Sequence, residues 1–192
     1  MLADALIFLL KTVFGLFTIA LLLRFYMQWA RAAYRNPLSD FLAALTDFVV
    51  RPARRVIPGL WGIDLATLVV AWLTQFIELA LVLHIDAPPL MGTAGTVVVA
   101  LGLLALISLA RLFLYIVIAV VVCQVVVSWI NPYTPIAPLL NSMTRPFLRP
   151  LQRVVPPIAN VDLSPLVLII VCQLLLMVPI AYLELVVARL LR

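Results

Sequence analysis

Between Val97 and Ile130 the chain runs for 34 residues with Arg111 as its only charge. A helix rises 1.5 Å per residue, so this run would reach about 50 Å, against a hydrocarbon core of about 30 Å. Leu6–Trp29, Leu65–Leu83 and Leu166–Leu185 are three further runs of spanning length. Composition points the same way: 66% of residues are hydrophobic and 11% charged, where soluble domains carry about a quarter charged. These features predict an all-α, polytopic membrane protein and exclude a soluble enzyme.

One register relates two long stretches. Thr46–Gln75 and Thr144–Gln173 align at an offset of 98, pairing Arg51 with Arg149, Pro52 with Pro150, Arg55 with Arg153, Pro58 with Pro156, Asp64 with Asp162 and Gln75 with Gln173. Upstream, Asn36-Pro37 answers Asn131-Pro132 with a three-residue length difference, and Lys11 and Trp29 answer Arg111 and Trp129 at an offset of 100. The chain reads as a tandem duplication. Residues 1–91 form the first repeat, with spans at about 6–29 and 65–83. Residues 92–192 form the second, with spans at about 111–129 and 166–185.

Charge sets the orientation. Arg31, Arg35, Arg51, Arg54 and Arg55 crowd the connection inside the first repeat, and Arg145, Arg149 and Arg153 the one inside the second. The positive-inside rule places both in the cytoplasm. The first charge is Asp4, whereas a secretory signal carries Lys or Arg ahead of its apolar stretch. The first run is therefore expected to be a retained span. Residues 92–130 must then cross an odd number of times, so the expectation is an interfacial or re-entrant segment at about 96–109 followed by one span. Four spans result, both termini lie outside, and the two units are parallel about an axis along the membrane normal.

Pro37–Val50 reads as an amphipathic helix, with Asn36 as its cap, Pro37 at its first position and apolar residues at helical spacing. Ile136, Leu139, Leu140, Met143 and Phe147 repeat the stripe. Each is expected to lie in the headgroup plane and to end in an irregular Arg/Pro elbow, because proline removes amide donors and disfavours helix before it. Asp64 and Asp162 stand where they cap the next span.

The doubled motif Asn-Pro…Thr-x₄-Arg-Pro-x₂-Arg-Val-[Ile/Val]-Pro-x₅-Asp-Leu-[Ala/Ser] resembles the YggT family, called YlmG in some lineages, in its two-repeat form. The resemblance covers nearly the whole chain. It implies a bacterial inner-membrane protein whose relatives are linked to cell-division gene clusters, osmotic tolerance and, in plastids, nucleoid distribution and cytochrome assembly. Gln152 replaces Arg54 and Pro157 replaces Gly59 in the second copy, so docking through the arginines is expected to be dominated by the first.

The candidate docking residues are Arg51, Arg54, Arg55, Arg145, Arg149 and Arg153. Two roles stay open for them: holding the connections inside against anionic headgroups, or docking a protein partner or acidic lipid on a surface that prolines preset. Asn36, Pro37, Pro52, Pro58, Asp64, Asn131, Pro132, Pro150, Pro156 and Asp162 shape the elbows and caps. Glu78 lies about 21 Å beyond Asp64 along its helix, hence within hydrocarbon. It is either paired with Lys11 to join two spans or part of an ion or proton path. Arg24 can snorkel to the headgroups and needs no further role. Cys123 and Cys172 read as buried small hydrophobes, and a lone His84 excludes a His-rich metal or bis-His haem site. No cofactor is expected. A non-enzymatic scaffold or assembly factor is the leading reading and a small channel or transporter the alternative. Homo-oligomerisation stays open, and nucleic acid is a weaker partner because the basic footprint is small.

Overall fold

In a computed structural model, residues 1–32, 36–59, 64–86, 93–131, 133–154 and 162–191 are described; they are helical, with no strand among them. The helices are α1 (Leu2–Trp29), α2 (Pro37–Val56), α3 (Leu65–Asp86), α4 (Ala94–Ile130), α5 (Ala137–Val154), α6 (Ser164–Leu175) and α7 (Ala181–Ala188). A π turn, Leu176–Ile180, joins α6 to α7. It contains Pro179, which has no amide to return to the preceding turn, so the helix loosens locally instead of ending.

Four helices, Leu2–Trp29, Leu65–Asp86, Ala94–Ile130 and Ser164–Leu191, are long and apolar enough to cross a membrane. Only 22–33% of the apolar window in each is buried inside the chain. Most of their apolar surface therefore faces outward, as in a multi-pass membrane protein, with Phe8, Val13 and Leu16 exposed on α1 and Leu166, Ile170 and Leu174 on α6.

The chain breaks where its caps say it should. Asn36 accepts from the Ser39 amide (2.8 Å) while its own amide reaches the Ser39 hydroxyl (3.3 Å), and Pro37 opens α2. Asp64 accepts from the Thr67 amide and hydroxyl at the start of α3, and Asp162 from the Ser164 amide (2.9 Å) at the start of α6. Asn131 does not cap α5. It closes α4 and accepts from the Tyr133 amide (3.0 Å), and the three extra residues of the second half fall in the turn before α5.

Two expectations about helix continuity fail. The first placed a separate segment at 96–109 ahead of a span; α4 is instead one unbroken helix of 37 residues, about 55 Å long. No proline interrupts it, and Arg111, the charge that suggested a boundary, pairs with Glu184 of α7. The second made the Arg/Pro elbows irregular. α2 runs through Pro52, and α5 through Pro146 and Pro150, to their arginine-bearing ends. These prolines are exposed, so the carbonyls they deprive of a partner lie on the outer face, where water or headgroups can serve them.

The halves meet at Tyr26, which is fully buried. Its hydroxyl donates to the Met143 carbonyl of α5 (2.7 Å) and its ring lies edge-on to Phe113 of α4 (5.4 Å). Phe147 packs against Tyr26, Trp29 and Phe113. At the offset of 100 the counterpart of Tyr26 is Val126, yet it meets Phe113, about 20 Å earlier along α4. The halves are thus staggered or inclined along their helices. The N-terminal part of α4 packs on α3, where Trp72 donates to the Gly102 carbonyl (2.9 Å) and a Cβ at Gly102 would touch the indole at 3.4 Å.

Candidate docking surface

α2 crosses α1 at a partly buried charge network. Arg24 donates to the Thr46 hydroxyl (2.6 Å) and the Asp47 carboxylate (2.7 Å), whose second oxygen holds Arg51 (2.7 Å). The Arg24 and Asp47 side chains are 14% and 21% exposed. Burial pushes the Asp47 carboxyl up, but the hydrogen bond and charge of Arg24, joined by Arg51, carry it below the usual carboxylate range. Arg24, read from sequence as free to snorkel, is a structural residue. Its signal was there in retrospect: an arginine five residues inside the aromatic end of a span, with an acid on the amphipathic helix that follows.

The end of α2 is tied down as well. Arg54 pairs with Asp64, whose side chain is 4% exposed. Burial raises that carboxyl and the Arg54 and Thr67 hydrogen bonds lower it, with a net downward shift. In the second half Gln152 donates to Asp162 (2.8 Å). There the same opposition of burial against Ser164 and Gln152 also leaves the carboxyl lowered. The exchange of Arg54 for Gln152 thus removes a charge but keeps the clasp.

The crevice between connector and span also recurs. A cavity of about 70 Å³ is lined by Ala32 and by six residues with counterparts in the second half, Arg24, Met27, Gln28, Ser39, Leu42 and Ala43. A smaller one is lined by Gln124, Val127, Ser128, Ala137, Leu140 and Asn141, the same six positions at offsets of 100 and 98. In place of Arg24 bonded to Thr46 and Asp47 stands Gln124, donating to Asn141 (2.8 Å).

Of the six arginines singled out from sequence, Arg51 and Arg54 are therefore engaged with acids. Arg55, Arg145, Arg149 and Arg153 are exposed, and no ion pair joins them to an acid among the described residues. Arg51, Arg54 and Arg55 share one helical face, and Arg145, Arg149 and Arg153 another. Pro37, Pro52, Pro58 and Pro150 are exposed; Pro132 and Pro156 lie outside the described residues.

Lys11 and Glu78 do not form an ion pair. Lys11 is exposed and acts on Glu78 only through space. Glu78 is buried between α1 and α3, where Gln75 donates to it (2.6 Å) and lies 3.3 Å from the Thr18 hydroxyl. The intramembrane pair that does form, Arg111 with Glu184, was missed, although Glu184 stands out as an acid within the last apolar run. Cys172 is buried, but Cys123 is exposed on α4, contrary to the expectation for it. Among the described residues no group of three or more His, Cys, Asp or Glu side chains is placed to hold a metal ion.

The family model for CCB3/YggT matches residues 3–85 and 103–183. The chain belongs to this family. It is 36% identical over 170 residues to the uncharacterized protein YggT of Escherichia coli, covering 87% of this chain and 85% of that one. It is 36% identical over 166 residues to an uncharacterized Pseudomonas aeruginosa protein (85% and 82%). A Vibrio alginolyticus protein from the proC 3' region is 33% identical over 171 residues (88% and 90%). No solved structure matches.

Proposed function

We propose that this member of the CCB3/YggT family is a non-enzymatic scaffold or assembly factor of the bacterial inner membrane. α2 and α5 lie on its cytoplasmic side and dock partners by their arginine faces, in division, envelope or osmotic homeostasis. One observation carries the reading: in both halves the Arg/Pro helix is clasped at its end to the next span, Arg54 to Asp64 and Gln152 to Asp162, while other arginines on it project outward. Charge held in place before binding lowers the ordering cost of association. An orientation signal needs neither clasp nor proline. The physiological setting rests on the family resemblance.

The test is in-cell crosslinking and mild-detergent purification of wild type beside Arg51→Ala/Arg55→Ala/Arg153→Ala, with Arg54 kept because it closes the elbow. A protein captured by wild type and lost from a correctly inserted variant supports docking. No partner in either sample refutes it. A channel or transporter is the second reading, favoured by buried Glu78 with Gln75 and Thr18 around it. It predicts that Glu78→Gln changes ion flux in proteoliposomes. Its weakness is that Leu176 occupies the equivalent position.

A further inference from the structure

The two halves use one scaffold with opposite electrostatics. In the first, Asp47 stands between Arg24 and Arg51 and satisfies both. At the same offsets the second half has Arg145 for Asp47, Gln124 for Arg24, and Arg149 for Arg51. The bridging acid has become a cation, and two exposed guanidiniums now lie one helical turn apart with no carboxylate between them. They border an open groove of about 370 Å³ between α4 and α5, whose lining also includes Gln124, Asn141, Ser142 and Gln152. Cations one turn apart repel each other. An anion seated between them reverses the sign of that interaction, as Asp47 does in the first half.

The groove lining carries a second, independent observation. Gln124 donates an amide N–H to Asn141, and its Oε1 is buried with no hydrogen-bond partner among the described residues. A buried acceptor left unmet is destabilising, and a ligand donor would supply the bond. Position selects the source of the anion. Gln124 lies about 9 Å along α4 from Ile130, and Trp129, Ile130, Tyr133 and Ile136 at that end are all strongly exposed apolar or aromatic residues. Such a belt marks the level of headgroups.

We propose that this groove is a binding site for an anionic phospholipid headgroup, with the phosphodiester between Arg145 and Arg149 and a headgroup hydroxyl donating to Gln124 Oε1. The cavity is large enough for a glycerophosphate group. Guanidinium forks suit phosphate oxygens, and the Asn141 side-chain NH2 supplies a further donor. This reverses the sequence-based expectation that the first half dominates binding: there Arg51 and Arg54 are already engaged by Asp47 and Asp64, which leaves Arg55. The site does not depend on the scaffold reading, since it needs no protein partner.

The full chain, purified in a neutral detergent, would be titrated with short-chain phosphatidylglycerol, with phosphatidylcholine and inorganic phosphate as comparison arms. Wild type should prefer phosphatidylglycerol, and Arg145→Ala/Arg149→Ala should weaken it at least tenfold. Arg51→Ala/Arg55→Ala removes as much charge and should change it less than about threefold. Arg145→Asp is the variant that protects against misfolding as an explanation. It recreates the first half's acid beside Arg149, so it should keep or raise thermal stability while abolishing binding. Equal loss in both arginine pairs would mean diffuse surface charge and overturn the site. So would equal binding of phosphatidylcholine, or inorganic phosphate competing as well as the lipid, which would point to a soluble anion. Because only purified components are used, failure here leaves the crosslinking result untouched, and the reverse holds too.

Discussion

Asp47→Asn isolates the charge network that fastens α2 to α1. The substitution keeps the side chain's shape and an oxygen that can accept, but leaves the charge of Arg24, 14% exposed, without its carboxylate, beside the neutral Thr46 hydroxyl. Breaking a fully buried pair from one side costs about 3–5 kcal/mol. Residual exposure and the Thr46 bond reduce that here to about 2–3 kcal/mol. Arg51→Ala removes the other arm of the same acid, but Arg51 is 76% exposed, so about 0–1 kcal/mol is expected. Replacing both half-buried partners, as Arg24→Gln/Asp47→Asn, leaves no orphaned charge, as the second half also does where Gln124 meets Asn141, one turn away on the connector. The double variant should be less destabilised than Asp47→Asn, with a coupling of about 2 kcal/mol. Equilibrium unfolding of purified wild type, Arg24→Gln, Asp47→Asn, Arg51→Ala and the double variant in mixed micelles, read by circular dichroism, gives these values. If Asp47→Asn costs no more than Arg51→Ala, or the Arg24→Gln and Asp47→Asn effects simply add in the double variant, the network does not hold α2 and the reasoning is refuted.

Other contacts give sharper yes-or-no outcomes. Arg54→Gln should be tolerated, because Gln152 already makes the equivalent bond to Asp162, whereas Arg54→Ala strips a nearly buried Asp64 and should cost about 2 kcal/mol; equal unfolding midpoints would count against the clasp. Asp47 and Asp64 have folded carboxyls below the usual range, so their stabilisation is complete above the unfolded value of about 4 and is lost as pH falls through the depressed folded values. Acid titration of Asp64→Asn should therefore show a smaller pH dependence than wild type below pH about 4, and an unchanged slope would contradict the assignment. Tyr26→Phe should lose about 1 kcal/mol, for one buried hydrogen bond to Met143, without changing the expressed topology. Glu184→Leu strands Arg111 in an apolar segment, and adding Arg111→Leu should recover most of the loss; a double variant worse than the single would rule the pair out as the reason α4 stays unbroken.

The sequence was a good guide to spans and caps because both have local causes. Length and apolarity define a span whatever packs against it, and Asn36, Asp64 and Asp162 act on backbone groups two or three residues away. It was a poor guide wherever the cause was a partner distant in the chain. Arg111 suggested a boundary at the membrane surface because nothing nearby could neutralise it; Glu184, 73 residues on, does. Lys11 and Glu78 were joined by depth alone, and depth says nothing about which way each faces. Proline misled for a different reason. Its penalty in a helix depends on whether the abandoned carbonyl can find another donor, and exposure of that face is a tertiary property.

The same distinction separates the two connector helices. Hydrophobic positions such as Leu42/Leu140 and Val50/Leu148 agree across the halves, and both clasps survive a change of residue type. What differs is polar and sits at the span-facing edge: Arg24 and Asp47 against Gln124 and Arg145. In the first half those polar groups are turned on one another, so α2 gains attachment and has little charge left to offer besides Arg55. In the second, Met143 and Phe147 hold α5 at the Tyr26 joint, which frees its arginines from any structural task. A helix already anchored by apolar contacts and a main-chain hydrogen bond can carry unpaired cations that a helix fastened by salt bridges cannot. Binding capacity is therefore expected where the internal pairing was given up, on α5.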